Sequence, residues 1–221
     1  MAIDPELKNR WLYELSLSGF IILRNFLPLD LIEALHELVE PILVGEIRRL
    51  EDGDPSGTRG AKRICLDLPP YIKFLKGPLD DERFRRNPII GELADAFLGN
   101  WRYGSTKAEC PLPGSLYMNW HADTDDAFLE KPLRPIRLTF NVPLLDVNDA
   151  NGPMEIIPGS HRMHHHHLRQ IYSIPQVHSL KILMRKGDCM LRDGNALHRG
   201  TPNLTDTPRI LLGQTYQALE G

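Results

Sequence analysis

One short motif in the sequence has residue types that suit metal binding: His121 and Asp123, in the stretch YMNWHAD. Side chains two positions apart on a β-strand point to the same face, roughly 6.6 Å apart along the strand, so one metal ion could contact both. The same alternation places Trp120 on the opposite face, where we expect it in the core. A hydrogen-bonded surface pair is the more ordinary explanation of so short a motif. A metal site therefore needs a third ligand.

His198, in DGNALHRG, is the best candidate for that third ligand. It follows the turn-forming residues 193–195 and lies near the end of a short predicted strand. Two histidines and one carboxylate on one face of a metal leave three positions open, which suits non-haem Fe(II) that binds a cosubstrate and oxygen. Zinc is the weaker choice, because its catalytic sites usually leave one open position and the sequence contains no HExxH motif.

Arg209, in TPRILLGQTY, lies eleven residues after His198 on what should be the next strand. If the two strands pair, its guanidinium can reach the metal's neighbourhood and bind a carboxylate through two parallel charge-assisted hydrogen bonds. Taken alone, an arginine that caps a sheet edge is the more ordinary explanation. The proposed role of Arg209 therefore depends on the three metal ligands.

The first hundred residues contain three helical patterns and one early strand. Capping residues and apolar spacing predict a helix over residues 4–18 and a short strand over residues 20–23. A second helix begins at Pro28 and a third lies between Pro88 and Gly99. Between the second and third helices, EDGDPSGTRG at 51–60 lacks any hydrophobic period and is predicted to be a mobile loop.

From Trp101 onward, short apolar runs separated by Pro, Gly, Asn and Asp indicate many antiparallel strands. The runs are SLYMNW, IRLTFNV, MEIIP, SLKILM, CMLRD and RILLGQTY. We expect a mainly β fold with flanking α-helices, in which the second half forms a sandwich or barrel. The prediction is a single domain over residues 1–221, with mostly helical support in residues 1–100 and the barrel core in residues 101–221.

Composition excludes several classes of protein. The 221 residues carry 26 Lys and Arg against 29 Asp and Glu, so no general basic field is present to hold nucleic acid or an anionic membrane. No apolar run is long enough for a membrane span, and the N-terminus lacks the apolar core of a signal peptide. The odd number and wide spacing of Cys65, Cys110 and Cys189 exclude a full disulfide framework. We expect a cytoplasmic protein with a small-molecule substrate and leave its oligomeric state open.

The order of these motifs resembles the phytanoyl-CoA dioxygenase family of Fe(II)/2-oxoglutarate oxygenases. The resemblance rests on His121-x-Asp123, NGPMEIIPGSHR at 151–162, GDCMLRDGNALHRG at 187–200 and Arg209, together with residues 18–40. It implies a double-stranded β-helix, also called a jelly roll or cupin-like barrel. It also implies Fe(II) held by the two histidines and the aspartate, with 2-oxoglutarate and O2 as cosubstrates and Arg209 on the distal carboxylate of 2-oxoglutarate.

The resemblance implies further cosubstrate contacts. Thr139 matches a polar position of the family on the strand RLTFNV, Asn141 shares its face, and Met118 shares the predicted face of His121. Members often carry a hydroxyl residue two places after the distal histidine, where this chain has Gly200. The distal carboxylate therefore loses one hydrogen bond unless Thr201 supplies it.

Other charged and histidine residues have both a functional and an ordinary interpretation. Arg59, Arg63 and Lys107 could receive an anionic substrate, although solvated surface charges are the more ordinary interpretation. The run His164 to His167 is best explained as a solvated loop.

The leading functional hypothesis is hydroxylation of a small-molecule C–H bond with release of succinate and CO2. In related halogenases a small residue replaces the carboxylate ligand, so Asp123 favours hydroxylation and leaves desaturation or ring formation open. The alternatives are a cupin-like module that binds a metal or a carboxylate without turnover, and a protein hydroxylase.

Overall fold

The computed structural model describes residues 3–53, 62–68, 77–124, 134–163 and 178–219. Its helices are α1 (Pro5–Ser18), α2 (Leu29–Glu51) and α3 (Pro88–Leu98). Its strands are β1 (Phe20–Leu23), β2 (Arg63–Asp67), β3 (Trp101–Pro111), β4 (Arg137–Pro143), β5 (Met154–Ile156), β6 (Leu180–Ile182), β7 (Cys189–Asp193), β8 (His198–Gly200) and β9 (Leu211–Ala218). Arg59, most of the loop predicted at 51–60 and the run His164 to His167 lie outside the described residues.

The three predicted helices are present, and their ends follow local capping chemistry. The Asp4 carboxylate accepts a hydrogen bond from the backbone N–H of Leu7 at the start of α1. Gly19 ends the same helix in the left-handed conformation, at φ 83°, which glycine adopts without steric cost. The Asn87 side chain caps α3 in the same way as Asp4 caps α1.

The strands form two antiparallel sheets. The larger sheet has the order β1-β7-β4-β9-β3-β2, and the smaller has the order β6-β5-β8. Strands β2 and β3 were not predicted; β3 pairs with the edge strand β2 on one side and with β9 on the other. Because β1 and β2 join the same sheet as the later strands, the sheet crosses the boundary predicted at residue 100.

Strand alternation gives the larger sheet two different faces. On β4, Leu138 and Phe140 belong to the core beneath the helices, while Thr139 and Asn141 point to the other face. The helix-facing core is continued by α2, whose inward residues are almost completely buried: Leu31, Ile32, Leu35, Val39 and Leu43. The helices therefore cover one face of the sheet, which leaves the other face for the site.

A second, smaller apolar cluster joins the two sheets. Met154 and Ile156 of the smaller sheet contribute to it, as do Met190 and Leu211 of the larger one. The sheets therefore pack together at this cluster, and polar residues line the remaining space between them.

The segment 115–120, predicted as the strand SLYMNW, is not a strand. The following residue, His121, makes an isolated bridge with His198 of β8. Trp120 is also not a core residue: it is half-buried, and the guanidinium of Arg199 lies 4.4 Å from its ring centroid.

Within the described segments, none of the helices is long and apolar enough to span a membrane. No disulfide joins any two of the three cysteines, all of which lie in those segments.

Candidate metal centre

The structure brings the three predicted ligands together. The ligand atoms of His121, Asp123 and His198 all lie within 4.8 Å of one another. His121 and His198 are paired residues of an antiparallel bridge, with reciprocal backbone hydrogen bonds of 3.1 and 3.0 Å. The backbone N–H of Asp123 donates to the carbonyl of Gly194 at 2.8 Å. The first residue of β8 therefore positions His121, and the turn before β8 positions Asp123.

Both histidines place Nδ1 beside a backbone carbonyl. The Nδ1 atom of His121 lies 3.0 Å from the carbonyl oxygen of Asn119, and that of His198 lies 3.0 Å from the carbonyl oxygen of Ala196. A carbonyl oxygen can only accept, so Nδ1 of His121 carries the proton and its Nε2 atom has the lone pair that binds a metal. Nδ1 of His198 also lies 3.2 Å from Arg192 Nη1, which can only donate, so its two neighbours make opposite demands on that nitrogen.

Asp123 is held by a buried arginine that the sequence reasoning missed. Arg192 Nη2 donates to Asp123 Oδ2 at 2.7 Å, with side-chain exposures of 3% and 16%. The other carboxylate oxygen, Oδ1, lies 3.8 Å from His198 Nε2. Arg137 also donates to the backbone carbonyl of Asp123 at 2.5 Å. One carboxylate oxygen is therefore engaged by Arg192, while the other faces the imidazoles.

The electrostatics of the site favour the ligand forms of these groups. Burial opposes ionisation of Asp123, but the charge and the hydrogen bond of Arg192 outweigh it, so the pKa of this carboxyl lies well below its usual range. Burial and the charge of Arg192 hold the pKa of His198 well below its usual value. Asp123 is therefore ionised and His198 neutral at physiological pH. This donor set of imidazole nitrogens and one carboxylate fits Fe(II).

A first cavity lies on the histidine side of the site. Arg209 and Met118 line it together with His121 and His198. The Arg209 side chain is buried, its Nη2 atom donates to the carbonyl of Gly152, and its Nε atom has no partner among the described residues. A buried cation with unused donors suits a carboxylate ligand.

Thr139 and Asn141 line a second cavity on the other side of the site. They share it with Asp123 and Arg192, not with Arg209. Thr139 Oγ1 and Asn141 Oδ1 are buried and have no hydrogen-bond partner within the described parts of the chain. The predicted cosubstrate residues are thus divided between two cavities. Lys107 also lines the second cavity, and its ammonium group lies 3.6 Å from the Asp67 carboxylate.

Thr201 does not offer its hydroxyl group to the first cavity as the sequence analysis had suggested. Its Oγ1 atom donates to the carbonyl oxygen of Pro153 at 2.8 Å and is buried there. Thr201 therefore does not replace the hydroxyl group that Gly200 lacks.

Comparisons with known proteins agree with this geometry. A sequence profile of the phytanoyl-CoA dioxygenase (PhyH) family matches residues 15–211. An ectoine dioxygenase from Bordetella parapertussis is 25% identical over an alignment that covers 92% of this chain and 73% of that protein. The iron/alpha-ketoglutarate-dependent dioxygenase ausO from Aspergillus calidoustus is 24% identical, with 88% of this chain and 67% of that protein covered.

A solved structure supports the same architecture. EctD from S. alaskensis, crystallised with 2-oxoglutarate and 5-hydroxyectoine, superposes with a TM-score of 0.68 at 19% identity, over 98% of this chain and 76% of that one. At this identity the likeness establishes the fold, and the predicted double-stranded β-helix is confirmed.

Proposed function

This chain belongs to the phytanoyl-CoA dioxygenase family of Fe(II)/2-oxoglutarate-dependent dioxygenases, and we propose that His121, Asp123 and His198 bind its Fe(II) ion. The observation that supports this proposal most directly is that their ligand atoms lie within 4.8 Å of one another. When bound, Fe(II) supplies the oxygen chemistry: O2 and 2-oxoglutarate are consumed, succinate and CO2 are released, and one oxygen atom enters a substrate C–H bond. The residues of this chain orient the ligands and bind the two organic molecules.

Arg209 binds the distal carboxylate of 2-oxoglutarate in this proposal. It lines the cavity that both histidines line, and its buried Nε atom has no partner among the described residues. Met118 borders the same cavity and contributes an apolar wall. The contacts predicted for Thr139 and Asn141 stay a prediction, since these residues line the other cavity.

The substrate is a small polar molecule bound in the second cavity, which reaches the site at Asp123. Three hydroxyl groups, one amide and several charged groups line this cavity: Ser105, Thr139, Thr215, Asn141, Lys107, Glu109, Arg137 and Arg192. A polar lining of this kind favours a ligand that can form several hydrogen bonds. A single-domain enzyme in the cytoplasm completes the proposal, supported by the absence of disulfides between its cysteines.

Metal binding is tested by His121→Ala, Asp123→Ala and His198→Ala, with His36→Ala on α2 as a matched control. Each of the three ligand variants should lose Fe(II) on gel filtration, because each removes one of three protein ligands. The control should retain it. A ligand variant that keeps normal iron content and succinate formation would remove that residue from the metal site.

Cosubstrate binding is tested by anaerobic titration of the Fe(II) protein with 2-oxoglutarate, followed by the visible charge-transfer absorption of the chelate. Arg209→Ala should retain Fe(II) but lose about 2 to 4 kcal/mol of binding free energy, or about thirty-fold to several hundred-fold in affinity. An unchanged affinity would refute the role of Arg209.

The substrate is sought with a library of small metabolites, by succinate release and product mass. A product heavier by one oxygen atom would establish hydroxylation. Fe(II) and 2-oxoglutarate binding without any substrate-dependent succinate would instead favour a binding module without turnover or a protein substrate.

A further inference from the structure

Arg199 on β8 follows His198 in the chain but lies on the opposite face of the strand. Successive side chains of a strand alternate between its two faces, so Arg199 points away from the metal centre. Its guanidinium lies 4.4 Å from the ring centroid of Trp120 and 4.3 Å from that of Tyr117. These aromatic residues come one and four positions before His121. Arg199 therefore contacts the part of the chain that carries the other histidine.

The strand register explains this contact. His121 and His198 are bridge partners, and their imidazole rings lie 4.3 Å apart on the inner face. In an antiparallel pair, the residue before one partner lies beside the residue after the other, which places Trp120 beside Arg199 on the outer face. The two histidines and the pair of Trp120 and Arg199 are thus the two faces of one bridge.

The backbone holds this bridge with few hydrogen bonds. His121 and His198 exchange a reciprocal pair, and the described chain adds one further bond from this segment to β8, from the Met118 N–H to the Gly200 carbonyl at 3.0 Å. Residues 115–120 do not form a strand. The orientation of His121 therefore depends on side-chain contacts more than that of a residue inside a longer ladder.

The inner side of the same segment is anchored farther from the ligand. Nη2 and Nε of the buried Arg63 donate to the carbonyl of Leu116 at 2.7 and 3.2 Å, so Arg63 is not a solvated surface charge. Leu116 comes five positions before His121, whereas Trp120 adjoins it. The contact with Arg199 is thus the one that acts next to the ligand.

Arg199 is itself held by an ion pair. Glu155 of β5 lies opposite it, and Arg199 Nε donates to Glu155 Oε2 at 2.7 Å. The side chains are 26% and 12% exposed, so solvent screens this pair less than a surface pair. The other carboxylate oxygen accepts from Ser179 Oγ at 2.7 Å. Glu155, Arg199 and Trp120 therefore form a row along the outer face, from β5 to the residue before His121.

We propose that Arg199 is a positioning residue of the metal centre. It holds the residues before His121 against β8, so that the imidazoles of His121 and His198 face one Fe(II) ion. A guanidinium is attracted to the face of an indole ring, and the attraction is stronger where water is partly excluded. Arg199 lines neither cavity, so it acts through Trp120 and not by contact with a ligand. This inference rests on the proposed function, because it requires the two histidines to bind Fe(II).

The experiment measures the Fe(II) affinity of the folded protein by anaerobic competition with a coloured chelator. Arg199→Met keeps the length of the side chain but removes the charge over the rings and the bond to Glu155. It should weaken Fe(II) binding on the order of tenfold, a loss typical of residues that orient a metal ligand. Arg199→Lys keeps a cation but not the planar guanidinium, so it should recover part of this loss.

Trp120→Leu removes the other partner of the same contact, and it tests the inference even if Arg199→Met does not fold. It should weaken Fe(II) binding by a similar factor. The double variant Arg199→Met/Trp120→Leu should bind only slightly more weakly than the weaker single variant, because both changes break one contact. Losses that multiply would show that the two residues act separately.

Two measurements separate positioning from a general effect on stability. A residue that stabilised only the whole fold would lower the urea midpoint of the metal-free protein and leave the Fe(II) affinity of the folded molecules unchanged. Amide hydrogen exchange is measured in the metal-free protein by mass spectrometry. In Arg199→Met, exchange in residues 115–121 should become faster by a larger factor than exchange in β4 and β9.

Arg85→Met provides a matched control. The Arg85 side chain is 23% exposed, against 26% for Arg199, and its guanidinium lies 5.8 Å from the ring centroid of Tyr103. Arg85 also lines neither cavity. Removal of this arginine from its aromatic partner should leave the Fe(II) affinity as in wild type.

Unchanged Fe(II) affinity in Arg199→Met or Trp120→Leu, or an equal loss in Arg85→Met, would overturn the inference. If His121→Ala and His198→Ala still abolish Fe(II) binding in those cases, the proposed function survives without Arg199. A wild-type protein that does not bind Fe(II) would remove both.

Discussion

Arg192→Met, Asp123→Leu and the double variant form a thermodynamic cycle that measures the buried ion pair of the metal centre. The nitrogen and oxygen atoms of this pair are 2.7 Å apart, and the side chains are only 3% and 16% exposed. Two unit charges about 4 Å apart attract by about 4 kcal/mol at an effective dielectric constant of about 20. Removing one partner leaves the other charge buried, which costs about 3 to 5 kcal/mol.

Each single variant should therefore lose about 3 kcal/mol or more of unfolding free energy in the metal-free protein. The double variant leaves no uncompensated charge, so it should lose about 2 to 4 kcal/mol less than the sum of the single losses. The assay is urea unfolding in the presence of a chelator, which removes any contribution of bound metal. The coupling energy is the difference between the loss in the double variant and the sum of the two single losses, and it is compared with that of a control pair.

The pair Arg24 and Asp188 provides a matched control. Its N–O distance is also 2.7 Å; Asp188 is 4% exposed, but Arg24 is 60% exposed. Because solvent reaches the guanidinium, this pair should show a coupling energy below about 1 kcal/mol. A coupling energy no larger than that of the control pair would show that Arg192 does not keep the Asp123 carboxylate ionised in the metal-free protein.

Two further predictions concern stability. Burial raises the pKa of Asp193 to about 7, so its carboxyl is protonated in the folded protein at acidic pH, and stability is lost as the pH rises through about 7. Raising the pH from 6 to 8 should lower the free energy of unfolding by about 1.4 kcal/mol through this group. Urea titrations of Asp193→Asn should not show that loss. An equal pH dependence in both proteins would contradict the assignment. Gly187→Ala should lose about 1 to 3 kcal/mol of unfolding free energy without loss of iron binding. Gly187 has φ +91°, and a Cβ atom there would lie 3.0 Å from the Leu27 carbonyl oxygen. A melting temperature equal to wild type would contradict this reasoning.

The helices could be predicted from sequence because their signals are local. Asp4 and Asn87 cap N-termini through contacts two or three residues away, and Gly19 ends α1 with its own backbone conformation. None of these interactions depends on the rest of the fold. The segment 115–120 shows the opposite case, since an extended, apolar sequence becomes a strand only where a partner strand runs beside it.

Strand β3 was missed because one of its faces lines the site. Thr106, Ala108 and Cys110 face the core on this strand, while Ser105 and Lys107 line the second cavity. A polar inner face removes the apolar run that identifies buried strands in a sequence. The polar side chains of β3 that line the second cavity therefore interrupt the apolar pattern from which this strand could have been predicted.

The proposed metal ligands could be picked out by residue type and spacing, whereas Arg192, the partner of Asp123, could not. Asp123 and Arg192 are 69 residues apart, so their ion pair follows from the pairing of strands and leaves no local pattern. The contact between the Arg63 guanidinium and Gly200 is equally non-local.

Thr139→Val tests whether the inner face of the sheet gives up stability in order to bind a ligand. Thr139 Oγ1 is buried without a partner among the described residues, and an unsatisfied hydroxyl costs about 1 to 3 kcal/mol. Valine keeps the shape and removes that cost, so the metal-free variant should unfold at higher urea concentration. If the hydroxyl binds 2-oxoglutarate, the variant should also bind it more weakly; if it faces the substrate, that affinity should stay and substrate-dependent succinate formation should fall. A variant that is less stable than wild type would show that this hydroxyl already has a partner in the ligand-free protein.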